Sequence, residues 1–296
     1  MGDTRPIGVF DSGLGGLTVA RAIATELPSE SIRYFGDTER CPYGERPQDE
    51  VRGFVAQLAR WFDARDVKLL VVACNTATAA GLSVAQRMLD IPVLGVIVPG
   101  ARAVVQATHT RRVGVLATKG TCDSGQYRRA IHALDAGVQV WQAPSPRSVE
   151  IVERAVASPH AMGRDWMGDK DYLDTEEALA VAAEDLAPLM GHGIDAVILG
   201  CTHFPLLKQV YQRVLGPGVT IVSSAEETAR EVRQYLGRAG ELAPEGHQAK
   251  YHFATTSPEL AQFCVAGEYV FGRKLEAVEH VDVADLEALA SEAWPL

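Results

Sequence analysis

The chain has 296 residues, 47% of them apolar and 22% charged, and carries a formal charge of −10. That composition fits a globular protein of one large or two ordinary domains, and its acidity excludes a nonspecific nucleic-acid binder, which needs a basic face. No apolar run approaches the ~18 residues that mark a membrane span, and the opening MGDTRPIGVFDSG has no signal-peptide core, so a cytoplasmic protein with neither a membrane nor a nucleic-acid partner is expected.

In chain order, the first strand candidate, PIGVF, runs through the glycine-rich DSGLGG into the helical pattern LTVARAIATEL. The second, SIRYFG, is followed by DTERCPYGERP, where Pro42, Tyr43 and Gly44 form a tight turn able to lay an aromatic hydroxyl and a bare amide over a site. A helical stretch, DEVRGFVAQLARWFDARD, precedes the strand KLLVVA, which ends in Cys74, Asn75 and Thr76. IPVLGV, RVGVLAT, VQVWQA, AVILG and TIVSS complete the strands. Strand–helix alternation of this kind predicts an α/β fold with parallel sheets covered by helices. Ligands then sit outside the carboxyl ends of the strands.

Four polar clusters occupy such strand ends, and they form two pairs. Gly8-Val9-Phe10-Asp11-Ser12 resembles Gly114-Val115-Leu116-Ala117-Thr118, and Val72-Ala73-Cys74-Asn75-Thr76 resembles Leu199-Gly200-Cys201-Thr202-His203. The repeat predicts two similar halves, each bringing one cysteine to a shared cleft. Both cysteines precede what reads as a helix start, where the helix dipole would lower a thiol pKa. The alternative is two cysteines buried for packing.

Other chemistries fit less well. The loop DSGLGGLT departs from G-x-G-x-x-G, since Thr18 stands at the third glycine position. Its glycines could instead let amides approach a small anion, with Asp11 as a helix cap, a proton relay or an anchor for an ammonium group. A zinc site of Cys74, Cys201, His203 and Asp11 has no ligand spacing behind it. Lys119 is the one lysine in a strand-end loop, and no phosphate cradle accompanies it for a pyridoxal cofactor. The five cysteines, Cys41, Cys74, Cys122, Cys201 and Cys264, contain no CxxC pair, which argues against a disulfide framework.

Taken together, GVFDSGLGGLTV, YFGDTERCPYGERP, VVACNTATA, GVLATKGT, LGCTHFPLL and SSAEETAREV resemble, in this order, the motifs of the aspartate/glutamate racemase family. The likeness runs from about residue 7 to residue 236 and continues through EHVDV. It implies two α/β domains with the active site between them: residues 1–98 plus 210–296, and residues 99–209. It implies interconversion of L- and D-glutamate for peptidoglycan synthesis, with no cofactor and no metal, in a protein commonly found as a homodimer; the alternatives are racemisation of another acidic amino acid such as aspartate, or a binding or regulatory protein that keeps the pocket without turnover. It implies Cys74 and Cys201 as catalytic thiols, supported by Asp11, His203 and Glu153, with Glu150 close by as the alternative acid. Substrate contacts are implied at Ser12, Pro42, Tyr43, Gly44, Asn75, Thr76, Thr118, Thr121 and Thr202, as well as at Asp11 and His203. Ser145 stands where many family members have cysteine, and the acidic stretch over 163–178 is expected to be a solvated surface loop.

The reaction itself explains a pair of thiols. Racemisation removes the α-proton from one face and returns a proton to the other, which two opposed acid–base groups do directly. Hydrogen-bond donors such as Asn75, Thr76 and Thr202 would then hold the carboxylates and the developing charge.

Overall fold

The computed structural model describes residues 2–157 and 173–291. Among these, ten strands form two all-parallel sheets. The strands are β1 (Ile7–Asp11), β2 (Ile32–Gly36), β3 (Leu69–Val72), β4 (Val93–Gly95), β5 (Arg112–Ala117), β6 (Gln139–Pro144), β7 (Ala196–Gly200), β8 (Thr220–Ser223), β9 (Tyr251–Thr255) and β10 (Val278–His280). The first sheet has the order β10-β9-β2-β1-β3-β4 and the second β6-β5-β7-β8. Leaving out the two C-terminal strands, both sheets share one order, so the sequence repeat is a repeat of topology. β1 and β5 are equivalent, as are β3 and β7, and these four strands carry the polar clusters. Among the described residues, no helix is long and apolar enough to cross a membrane.

Alternation along the strands builds the layers. In β1, Ile7 and Val9 face a core shared with helix Leu17–Glu26, while Phe10 faces the opposite layer, which contains Val51, Val55, Leu58 and Phe62 of helix Gln48–Asp63. Those four positions repeat at helical spacing and form one apolar stripe. Burying each such side chain contributes about 1.5–3 kcal/mol. This helix lies close against Asn75–Met88: a Cβ at Gly81 would come within 2.7 Å of Val55 Cβ. The Ile7 layer continues past Val96 to Val197, Leu199, Phe204 and Tyr211, so one apolar core joins both sheets and holds their strand ends together.

Two expectations need correction. β8 (Thr220–Ser223) pairs with β7, so a strand expected with the first domain under a boundary at 209/210 belongs to the second sheet. β9 and β10 were not apparent as strands from the pattern; they return from the C-terminal part of the chain to extend the first sheet beside β2. The acidic stretch 163–178 lies outside the described residues up to 172. At its end, the Thr175 hydroxyl caps helix Glu176–Leu186 by accepting from the Ala178 amide.

A buried ion pair ties the N-terminal segment and the stretch that precedes β9 to the first sheet. Lys68 Nζ lies 2.7 Å from Glu30 Oε2, and also donates to the carbonyls of Asp3 and Glu241.

Candidate active site

Cys74 leaves the end of β3 as the N-cap of helix Asn75–Met88, its sulfur accepting from the Ala77 amide at 3.4 Å. Its thiol is 3.7 Å from Ser12 Oγ. The helix N-terminus does not lower this pKa as expected. Burial and the nearby Asp11 carboxylate outweigh the Ala77 amide and the Ser12 hydroxyl and push the thiol up to about 12.

Cys201 follows β7 but does not start an α-helix. A 3₁₀ turn, Phe204–Leu207, comes first, with Pro205 in it, and helix Lys208–Leu215 begins only after that. The dipole argument therefore does not reach this thiol. Its partner is His203, whose Nδ1 lies 3.7 Å from Cys201 Sγ and whose Nε2 lies 2.6 Å from Glu153 Oε1. Burial opposes a charged imidazole, but the bonds and charges of Cys201 and Glu153 prevail and hold His203 well above its usual value. Glu153 is raised by burial, yet its bond to His203 brings it below the usual carboxylate range. Glu150 is exposed, so the acid beside the imidazole is Glu153.

Asp11 is fully buried at the end of β1. Its carboxylate accepts from the Gly13 amide at 3.1 Å, from the Gly16 amide, and from Thr202 Oγ1 at 3.3 Å. The anion held by the glycine-rich loop is therefore Asp11 itself, acting as a turn former. Burial raises its pKa against these donors and the charge of His203. The loop needs glycine for contact as well, since a Cβ at Gly15 would lie 2.5 Å from Thr202 Oγ1 and 2.6 Å from the His203 ring. Thr18 adds a bond from its hydroxyl to the Thr202 carbonyl.

Across the cleft, Thr76 Oγ1 meets Thr118 Oγ1 at 2.9 Å and Thr121 Oγ1 at 3.3 Å, a chain of hydroxyls between the two halves. Asn75 Oδ1 accepts from Tyr127 at 2.7 Å, which leaves its buried Nδ2 without a partner. Gly44 and Gly120 allow the halves to touch: a Cβ at Gly120 would lie 2.8 Å from the Gly44 carbonyl oxygen.

The Tyr43 hydroxyl does not face the substrate side as expected. It donates to the buried carboxylate of Asp37, while the turn Pro42-Tyr43-Gly44 itself borders the cleft.

These elements enclose a cavity of about 30 Å³, whose wall includes Ser12, Pro42, Tyr43, Gly44, Cys74, Asn75, Thr76, Thr118, Cys201, Thr202 and His203. Of the residues expected from the sequence, Asp11, Glu153 and Thr121 do not reach the wall and act on residues that do. Cys41 and Val149 line it without having been anticipated. Cys41 was visible inside the CPYG turn; Val149, an apolar residue on a helix, gave no signal. Among the described residues, no group of three or more His, Cys, Asp or Glu side chains is placed to hold a metal ion. A larger open groove elsewhere, bordered by Arg21, Glu26, Glu226 and Arg230, is lined by neither a thiol nor an imidazole.

Comparison with known proteins agrees with this geometry. Residues 7–232 match the family described as Asp/Glu/Hydantoin racemase. A glutamate racemase of Shouchella clausii is 47% identical over 88% of each chain, and one of Carnobacterium sp. is 42% identical over 94% of this chain and 98% of its own. The crystal structure of glutamate racemase isoform RacE1 from Bacillus anthracis, 42% identical, superposes with a TM-score of 0.85 over 94% of this chain and 98% of its own. That of the Francisella tularensis glutamate racemase with D-glutamate, 31% identical, has a TM-score of 0.84 over 97% and 99%. With paired strand-end thiols at one cavity and likeness along nearly its whole length, the chain belongs to the Asp/Glu/Hydantoin racemase family and is an amino-acid racemase.

Proposed function

We propose that this racemase interconverts L- and D-glutamate by a two-thiol acid–base mechanism. One observation carries the reading: two buried cysteines, one from each half of the repeat, line the same small cavity. The names of the similar proteins supply the substrate.

The two thiols are unequal. Cys201 lies beside the imidazole of His203, which Glu153 bonds on its far side and helps to hold well above its usual pKa. Cys74 has no such partner, and burial with the nearby Asp11 pushes its thiol up to about 12. As the family resemblance implies, Cys201 takes the α-proton of the L-enantiomer while Cys74 protonates the opposite face. The roles exchange in the D-to-L direction. The unpartnered Nδ2 of Asn75 and the hydroxyls of Thr76, Thr118 and Thr202 supply donors for the carboxylates and the developing charge. A cavity of about 30 Å³ is far below the few hundred Å³ of an ordinary small-molecule pocket, so admitting glutamate calls for the walls to separate.

In the cell this activity would supply D-glutamate for peptidoglycan in the cytoplasm, from a homodimer; the similar proteins are bacterial. The test is incubation with single L-amino acids in D₂O. L-Glutamate should lose optical rotation as its α-position gains deuterium. Exchange of L-aspartate in preference to glutamate, or of neither, would overturn the proposal.

A further inference from the structure

We infer that Asp37, which does not touch the cavity, is the positioning residue of its 41–44 wall. Cys41, Pro42, Tyr43 and Gly44 all border the cavity, yet Cys41 and Pro42 lie between two single 3₁₀ turns, Thr38–Arg40 and Tyr43–Glu45, and Tyr43 and Gly44 open the second of them. Such a segment has few backbone bonds to fix it, and what fixes this one is a buried carboxylate. Asp37 is fully buried at the end of β2. It receives Arg40 Nε at 3.0 Å and 2.7 Å on its two oxygens, Thr256 Oγ1 at 3.1 Å, and the Tyr43 hydroxyl. Its own amide donates to the Asp11 carbonyl, joining it to the strand that carries the glycine-rich loop.

The donors come from three directions. Arg40 precedes the wall segment, Tyr43 lies within it, and Thr256 follows β9, the strand that returns from the C-terminal part of the chain. Arg40 also stacks over the Phe54 ring at 4.1 Å, and Phe54 packs against Tyr43 at 5.2 Å between ring centres. Arg46 Nε then donates to the Arg40 carbonyl, closing the segment from its far side. A carboxylate with several donors in a dry site is strongly directional, and removing one donor leaves the buried carboxylate under-satisfied. The Tyr43 hydroxyl thus serves as a tether that pulls its own backbone, and that of Gly44, into the wall. Burial pushes the Asp37 carboxyl up, against the pull of Arg40 and the hydroxyls, as for a charge kept for its geometry.

This inference rests on the reading of the cavity as the glutamate site. A wall that contacts ground state and transition state alike contributes uniform binding, so loosening it raises KM and leaves kcat nearly unchanged. The experiment is steady-state racemisation of L- and D-glutamate by the wild type, Tyr43→Phe and Asp37→Asn, with Tm recorded for each. Tyr43→Phe removes only the tethering oxygen and should raise KM about tenfold in both directions, with kcat within about threefold. Asp37→Asn should do the same or more. If Asp37→Asn does not fold, Tyr43→Phe decides alone. A folded Tyr43→Phe with KM within about twofold of wild type, or a loss confined to kcat, overturns the inference while the glutamate reading stands. A wild type that does not racemise glutamate removes both.

Discussion

His203 Nε2 lies 2.6 Å from Glu153 Oε1, which leaves the opposite ring nitrogen, 3.7 Å from Cys201 Sγ, as the side facing the thiol. The pair has a pH signature. His203 is held above its ordinary 6.5, so its contribution to stability is complete below that unfolded value and is lost as pH rises through the folded one. Glu153 is held below its ordinary 4.5, so its contribution is complete above that value and is lost as pH falls through the folded one. The Tm gap between wild type and Glu153→Gln should therefore be widest between pH 4.5 and 6.5 and narrow on both sides. The alkaline limb of kcat/KM should move to lower pH in the variant. A gap that does not vary with pH would show that Glu153 serves packing.

Cys74→Ser should lower racemisation in both directions by about 10²–10⁴-fold, the usual scale for a positioned acid or base. Elimination of chloride from β-chloroalanine requires only removal of the α-proton, after which the C–Cl bond breaks as the double bond forms. In the variant, Cys201 still has His203 beside it, so elimination from the L-enantiomer should persist while that from the D-enantiomer collapses. Equal loss for both enantiomers, followed by chloride release, would refute the division of labour between the thiols.

His203→Asn should act on chemistry rather than on binding. Enantiomers have equal free energy, so kcat/KM must fall by one factor in both directions. Individual constants are free to differ, and kcat from L to D, which starts at Cys201, should drop by about 10²–10⁴-fold. Measuring kcat and KM for both enantiomers decides the matter. A change confined to KM, with kcat within about twofold of wild type in both directions, would make His203 a packing residue.

Gly120→Ala puts a Cβ 2.8 Å from the Gly44 carbonyl oxygen, so the two halves cannot meet as they do here. We expect kcat/KM to fall about 10–100-fold through misplacement of the reacting groups, at nearly unchanged Tm. Gly53→Ala is the control. That glycine is exposed within helix Gln48–Asp63 with no atom within 4 Å of a new Cβ, and the change should stabilise the fold by about 0.5–1 kcal/mol. Similar activity in the two variants would exclude the contact as the point of closure.

Much of this molecule was legible before its structure because its chemistry sits at the ends of apolar strands. The β3 and β7 runs are strongly apolar, and the residues that follow them are abruptly polar. β9 was missed because YHFAT opens with two partly polar residues after a polar stretch, and β10 because three residues, VEH, make no periodic pattern. Both are held by neighbours far away in sequence, which local propensity does not register. The direction of the Tyr43 hydroxyl was misread for a related reason: its acceptor, Asp37, is set by β2 and β9 together, and the turn motif shows only that a hydroxyl is present. The pKa of Cys74 was misjudged because a helix N-cap is readable in a sequence and the dryness around it is not.

The shared strand order of the two sheets has a consequence for chirality. A rotation that exchanged the halves would carry Cys74 onto Cys201 but would leave the hand of a bound amino acid unchanged, so the repeat alone does not make the enantiomers equivalent. What it supplies is one thiol from each half at the same cavity. The L and D complexes of such a protein stay diastereomeric, and their kcat and KM differ even where the halves match. Positions at which the halves differ add to that inequality: Asp11 against Ala117, Asn75 against Thr202, and Thr76 against His203, the last with Glu153 behind it.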